Sequence, residues 1–173
     1  MVLRVRLVPD DFDVPETVEA DGFTLQKLTV RDVVADYAAI MSSVDHLVGT
    51  FGHHKSWPHG LTLERNLADL GWHETEFANR TSFCWVAWDP SCTTYRGCSY
   101  IYPSQKAGID AEVYLWTTAA EHAQGFDGEL YVFFQRWIAA RWPFRNPIFP
   151  GRSISWPEYC VKPDDPPPRA VTE

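Results

Sequence analysis

Apolar residues recur along this chain with two periods, close to two and close to three and a half, and the switches between them mark out elements. FTLQKL (23–28) alternates as a strand does, and Val30, Val33, Val34, Tyr37, Ile40 and Met41 then fall at helical spacing, which predicts an amphipathic helix over 30–43. VDHLVGTFGHHKSWPHG (44–60) has no period and is rich in Gly, His and Pro, so it reads as a long loop. Thr62 is placed as an N-cap for a second helix carrying Leu63, Leu67, Leu70 and Phe77 on one face and ending near Arg80.

SFCWVAWDP (82–90) and YRGCSYIYP (95–103), joined by the polar SCTT, predict an antiparallel hairpin. In the first of these strands Phe83, Trp85 and Ala87 alternate with Cys84, Val86 and Trp88, so both faces are apolar and the strand should lie inside a sheet covered on both sides. A third strand, DAEVYLWTT (110–118), leads through a loop with two glycines into the strongest helical pattern of the chain: Leu130, Phe133, Phe134, Trp137 and Ile138, stopped by Pro143. Residues 1–22 read as an acidic arm and 161–173 as a proline-rich, solvated tail, which leaves a single domain over 1–160.

A net charge of −8 disfavours nucleic acid and anionic membranes, which would be repelled, and favours a neutral or cationic small-molecule partner. Eight Trp, ten Phe and seven Tyr are enough to line a pocket as well as to fill a core. The N-terminal apolar stretch is short for a signal peptide and no run is long enough to span a bilayer, so a cytoplasmic protein is expected. Four cysteines without CxxC spacing are expected to be reduced, with Cys84 and Cys98 as small core residues. His53, His54 and His59 lie in the long loop and His73 on the second helix; their spacing is not that of a zinc site, and no metal is expected.

The element order, together with RGCSYIYPS on the hairpin, AEVYLWTTAA on the third strand and the loop and helix after it, resembles a bacterial subgroup of the GCN5-related N-acetyltransferase (GNAT) family over about residues 5–160. The resemblance implies an α/β fold of the α+β type, with a mixed, mostly antiparallel central sheet and helices on both faces. It implies an acyltransferase that moves an acetyl or other acyl group from acyl-CoA to a small amine. The backbone of Leu115, Trp116 and Thr117 would hold the pantetheine arm, and the loop of Gln124, Gly125, Phe126, Asp127 and Gly128 would turn its amides toward the pyrophosphate. Asp127 and Glu129 stand where the family's pattern has small residues. Acidic groups in a first helical turn satisfy the same amides and the same dipole as a phosphate, so they are expected to act as an internal cap and to weaken cofactor binding. The family's last helix and hairpin are missing from the pattern after residue 145, so either this part of the acceptor site is built differently or a second copy of the chain completes it.

Strand alternation puts Glu112, Tyr114 and Trp116 on one face. A carboxylate among rings is a candidate general base toward an amine, with Tyr100, Tyr102 and Tyr114 as candidate proton donors and His53 or His54 as an acid or base on a lid over 49–60. GRSISW (151–156) reads as a structural turn in which Gly151 adopts an unusual backbone angle. Two other readings stay open: coenzyme-free acid–base chemistry or ligand binding in an aromatic pocket of Trp85, Tyr100, Tyr114 and Trp116, and a non-catalytic dimerisation module.

Overall fold

The computed structural model of the chain describes residues 6–52 and 55–164. Six strands form one sheet in sequence order: β1 (Thr17–Ala20), β2 (Phe23–Lys27), β3 (Phe83–Trp88), β4 (Tyr95–Tyr102), β5 (Ala111–Thr117) and β6 (Pro147–Ile148). Every neighbouring pair is antiparallel except β5 and β6, which run parallel. The helices are α1 (Val33–Met41), α2 (Val44–Leu47), α3 (Leu63–Asn79), α4 (Ala119–Ala123), α5 (Phe126–Arg141) and α6 (Trp156–Cys160).

Alternation along the central strands builds two different layers. Leu25, Phe83, Trp85, Ala87, Ile101, Val113 and Leu115 face α5, whose Phe126, Leu130, Phe134 and Ile138 recur every four residues and are buried against them. Burying a side chain of this size contributes about 2 kcal/mol, so this layer is the main apolar core. The opposite face carries Cys84, Val86, Cys98, Tyr100, Tyr114 and Trp116 under Leu28, Ala39, Ile40, Leu47 and Leu70. Cys84 and Cys98 are free thiols buried here. Trp85 therefore stands apart from Tyr100, Tyr114 and Trp116: it packs against Trp137 and Trp142, with its indole N–H donating to Pro15 O, and the pocket expected to contain all four is corrected to three.

Several elements differ from the sequence pattern for identifiable reasons. The segment expected as a helix from residue 30 begins as a 3-10 turn (Val30–Asp32) held by a Thr29–Asp32 capping box, and Val34 and Met41 face solvent while Asp36, Ala39 and Ile40 are buried. Thr62 caps α3 as expected, yet Leu63 and Leu67 are exposed; the inward face is Asn66, Leu70, His73 and Phe77, one residue round the helix. The arm over 1–22 contains β1, and residues 161–164 of the tail are tied to the β4–β5 connection by Ala107 N to Pro163 O and by Lys106 to Asp164. The rest of the tail lies outside the described residues.

Candidate active site

β5 pairs with β4 along its length, but with β6 only at Ala111–Pro147 and Glu112–Ile148. Beyond that point the two strands part, and a cleft of about 280 Å³ opens between Leu115–Thr117 on one side and Pro150–Arg152 on the other, closed below by Trp156 and above by His46, Leu47, Gly49 and Thr50. Gly151, at φ +77°, makes the turn that leads into α6; a side chain there would meet the Trp156 indole at 2.7 Å. Ser155 caps α6 in a box with Glu158, so the segment read as a plain turn sets Trp156 into the wall of the cleft.

The loop entering α5 is arranged differently from the expected cradle. α4 occupies its first half, Gln124 and Gly125 are exposed, and Phe126 is buried on the far side beneath Arg96, whose guanidinium lies 3.5 Å above its ring. Asp127 does not cap the helix: Gly125 is the N-cap, with no side-chain bond. The Asp127 carboxylate instead takes both terminal nitrogens of Arg152 at 2.8 Å, and Arg152 also donates to Leu115 O at 3.2 Å. Burial alone would raise the Asp127 carboxyl, but the Arg152 bonds and charge bring it below the usual range. Glu129 lines a separate groove with Phe133 and Arg136, so only one of the two acidic positions bears on the cleft. His46 and His122 meet edge to face at 4.7 Å beside this pair, and desolvation, with repulsion from His122, lowers the His46 pKa. Neither histidine stands out in the sequence, because nothing in α2 or α4 shows that the two helices meet.

Where β5 and β6 part, Glu112 is 6% exposed and accepts three hydroxyl hydrogen bonds, from Ser104 (2.7 Å), Tyr114 (2.8 Å) and Tyr159 (2.9 Å). It lines neither the cleft nor the cavity described next. Tyr159 comes from α6; desolvation and the Glu112 bond push its hydroxyl up to about 12. Tyr114, raised further by burial and Glu112, stacks on Trp156. The C-terminal segment thus contributes Trp156 and Tyr159 to this region from within the chain.

A second cavity, about 220 Å³, lies on the same face between α1, α3, β4 and the 51–57 loop. Tyr100 and Tyr102 line it as a stacked pair, and the Tyr100 hydroxyl accepts from the Trp116 indole at 3.1 Å. Phe51 and Trp57 also line it, Phe51 touching Tyr100 and Tyr114 and Trp57 touching Trp116, which lines the cleft. His53 and His54, expected on this lid, lie outside the described residues.

No family model matches the chain, and no curated protein matches it in sequence. Solved structures do match in shape. RimL, the ribosomal L7/L12 alpha-N-protein acetyltransferase, superposes with a TM-score of 0.58 at 14% identity, over 82% of this chain and 75% of that one. The ribosomal-protein-S5-alanine acetyltransferase from Vibrio fischeri gives 0.57 at 15%, over 73% and 67%. The microcin C7 self-immunity acetyltransferase MccE, solved with acetyl-CoA and AMP, gives 0.56 at 12%, over 74% and 70%. At these identities the likeness is one of architecture: the chain has the GNAT fold, in the mixed, mostly antiparallel form that its sequence resembles.

Proposed function

We propose that this protein is a GNAT-type N-acyltransferase whose acyl donor, a thioester on a pantetheine arm, enters the cleft between β5 and β6. The observation that carries the reading is the early end of β5–β6 pairing. It leaves the edge of β5 over Leu115–Thr117 unpaired on the β6 side, facing a cleft of about 280 Å³.

The fit to coenzyme A divides along its length. The strand edge suits the arm, with Leu115, Trp116 and Thr117 in the role that the resemblance assigns them. The start of α5 does not suit a pyrophosphate as it stands, because the Asp127 carboxylate lies in its first turn and neutralises Arg152. Bound in the cleft, an acyl thioester supplies an activated carbonyl. The chain supplies the surroundings: Trp156 and Trp116 wall the cleft, and beside the point where β5 and β6 part Glu112 accepts from the Tyr159 and Tyr114 hydroxyls, which keep their protons at neutral pH. A second reading, a ligand that carries no pyrophosphate and is handled without coenzyme A, is favoured by the Asp127–Arg152 pair itself.

Titration calorimetry with acetyl-CoA and with S-acetylpantetheine separates these readings. Binding of both, with acetyl-CoA tightened in Asp127→Asn, supports acyl transfer from coenzyme A. Binding of S-acetylpantetheine alone supports a donor without a pyrophosphate. No heat from either at millimolar concentration overturns the acyltransferase reading.

A further inference from the structure

Val34, Met41, Leu63 and Leu67 fall at the helical spacing that predicts burial, yet the folded chain leaves them open: with Val30 they are between 38% and 69% exposed. Scattered apolar residues are ordinary on a surface, but these five share one place. α1 and α3 lie antiparallel. Val30, in the turn before α1, stands beside Gly71 and its amide donates to Glu74, whereas Asp36 meets Asn66 and the Tyr37 hydroxyl donates to Leu61 O. At about 100° per residue, the side of α3 that carries Gly71 and Glu74 also carries Leu63 and Leu67, and the side of α1 that carries Tyr37 also carries Val34 and Met41. The five residues therefore line the groove between the two helices on the side turned away from the sheet, opposite the buried Asp36, Ile40, Asn66 and Leu70. None of them lines the cleft or the second cavity.

A contiguous apolar groove of this kind marks an interaction surface, and its form narrows the partner. Leu63 and Leu67 make a row at i and i+4 that ends in the small Gly71, the kind of ridge that packs into the groove of a neighbouring helix pair. Charge at the two ends of the groove then says what that neighbour is. Arg31, next to Val30, stands at one end, and Glu64, next to Leu63, at the other. Both are exposed, and among the described residues neither is in an ion pair. A groove with a cation at one end and an anion at the other is complementary to itself when turned end for end. A two-fold axis between Val34 and Leu67 sets the Leu67 ridge of each copy against the groove of the other and brings Arg31 of each to Glu64 of the other. An anionic membrane, in contrast, would be repelled by a chain of net charge −8.

We propose that a second copy of this chain docks on the outer groove between α1 and α3, forming a closed two-fold dimer with Val34 and Leu67 at its centre and an Arg31–Glu64 pair at each end. The periodicity of α1 and α3 then has a single explanation: one apolar side of each helix is buried within the chain and the other between chains. The inference is independent of the acyl transfer proposed above.

Sedimentation equilibrium of the full chain, from about 1 to about 300 μM, is the test. The chain should pass from monomer to dimer within that range and form nothing larger. Leu67→Glu on α3 and Val34→Glu on α1 should each weaken association at least tenfold; both positions are solvent-facing in the monomer, so its circular dichroism and melting temperature at the lowest concentration should match wild type. Val132→Glu, an equally exposed apolar position on α5, should leave association unchanged. Arg31→Glu and Glu64→Arg should each weaken self-association, while an equimolar mixture of those two variants should associate more tightly than either alone, because both end pairs are then opposite in sign. A chain that stays monomeric throughout, a dimer indifferent to Leu67→Glu and Val34→Glu, a dimer weakened as much by Val132→Glu, or a mixture no tighter than its components overturns the inference.

Discussion

The same three strands build both faces of the sheet, and the two faces serve different ends. Under α5, the inward residues of β3, β4 and β5 are apolar apart from Ser99 and Thr117; Phe134 and Leu130 are fully buried, and the Trp85 indole N–H is satisfied by Pro15 O. Under α1 and α3, the alternate residues of those strands meet Asp36, Asn66 and His73, and the tyrosine hydroxyls and the Trp116 indole bond across the layer. The first face is packed mainly with carbon, while the second keeps a cavity lined by polar groups. A polar group in the second layer costs desolvation that an apolar residue of equal volume would avoid, so its presence there is evidence of use rather than of stability.

The largest separation of the two faces should come from truncation. Phe134→Ala should cost about 3–5 kcal/mol, seen as a large fall in melting temperature. Tyr100→Phe, on the other face, removes only the acceptor for the Trp116 indole and should cost about 1 kcal/mol. If the two substitutions destabilised equally, the second layer would be as much a structural core as the first.

Titration separates the faces next. The pKa of His73 falls from 6.5 to about 4 on folding, so the unfolded chain binds more protons between those values and stability drops as pH falls through that window. At 1.36 kcal/mol per unit the loss reaches about 3 kcal/mol. Asp36 acts in the opposite sense: its folded pKa is raised, so the charged form is disfavoured and stability is lost as pH climbs above its unfolded 3.8. The difference between wild type and His73→Gln in denaturant unfolding at pH 4.5 and 7 isolates the histidine. The variant should lose less stability on acidification than the wild type, and an unchanged pH dependence would mean that His73 is open to water.

How far the sequence revealed this molecule follows the same division. The α5 layer was legible because apolar burial is its whole purpose: the recurrence of Leu130, Phe134 and Ile138 matches the buried stripe. α3 was misread by one residue, since a pattern search rewards Leu63 and Leu67, while the helix turns Asn66 and His73 inward to line a cavity. Strand alternation places Glu112 and Tyr114 on one face, but the bond from Tyr159 to Glu112 joins residues 47 apart, a relation that no local spacing contains. The sequence pattern reads Asp127 as a helix cap standing in for a phosphate, and the structure gives it a different role. Its true partner, Arg152, comes into reach only because β6 runs parallel to β5 and returns the chain to the cleft.

That pair gives a smaller test within the cleft. Its side chains are 25% and 18% exposed for Arg152 and Asp127, so solvent screens it in part and Arg152→Gln should cost about 1 kcal/mol. The folded pKa of Asp127 is depressed, so the stabilisation is present above the unfolded 3.8 and is lost as pH falls through the lower folded value. Carboxyl NMR titration should show Asp127 rising in Arg152→Gln. A carboxyl that stays depressed would place its support in the histidines or the α5 amides instead.

The smallest expected effect concerns α6, a helix too short to be stable alone, which the Ser155–Glu158 box anchors at its N-terminus. Ser155→Ala removes the cap and should cost about 1 kcal/mol, confined to one turn. Hydrogen exchange should accelerate at Glu158 and Tyr159, while the α5 amides keep their protection and the melting temperature barely moves. Because Trp156 walls the cleft and Tyr159 bonds Glu112 from this turn, affinity for S-acetylpantetheine should fall in the same variant. Loosened amides with unchanged affinity would remove α6 from the cleft's binding surface and leave β5 alone to hold the arm.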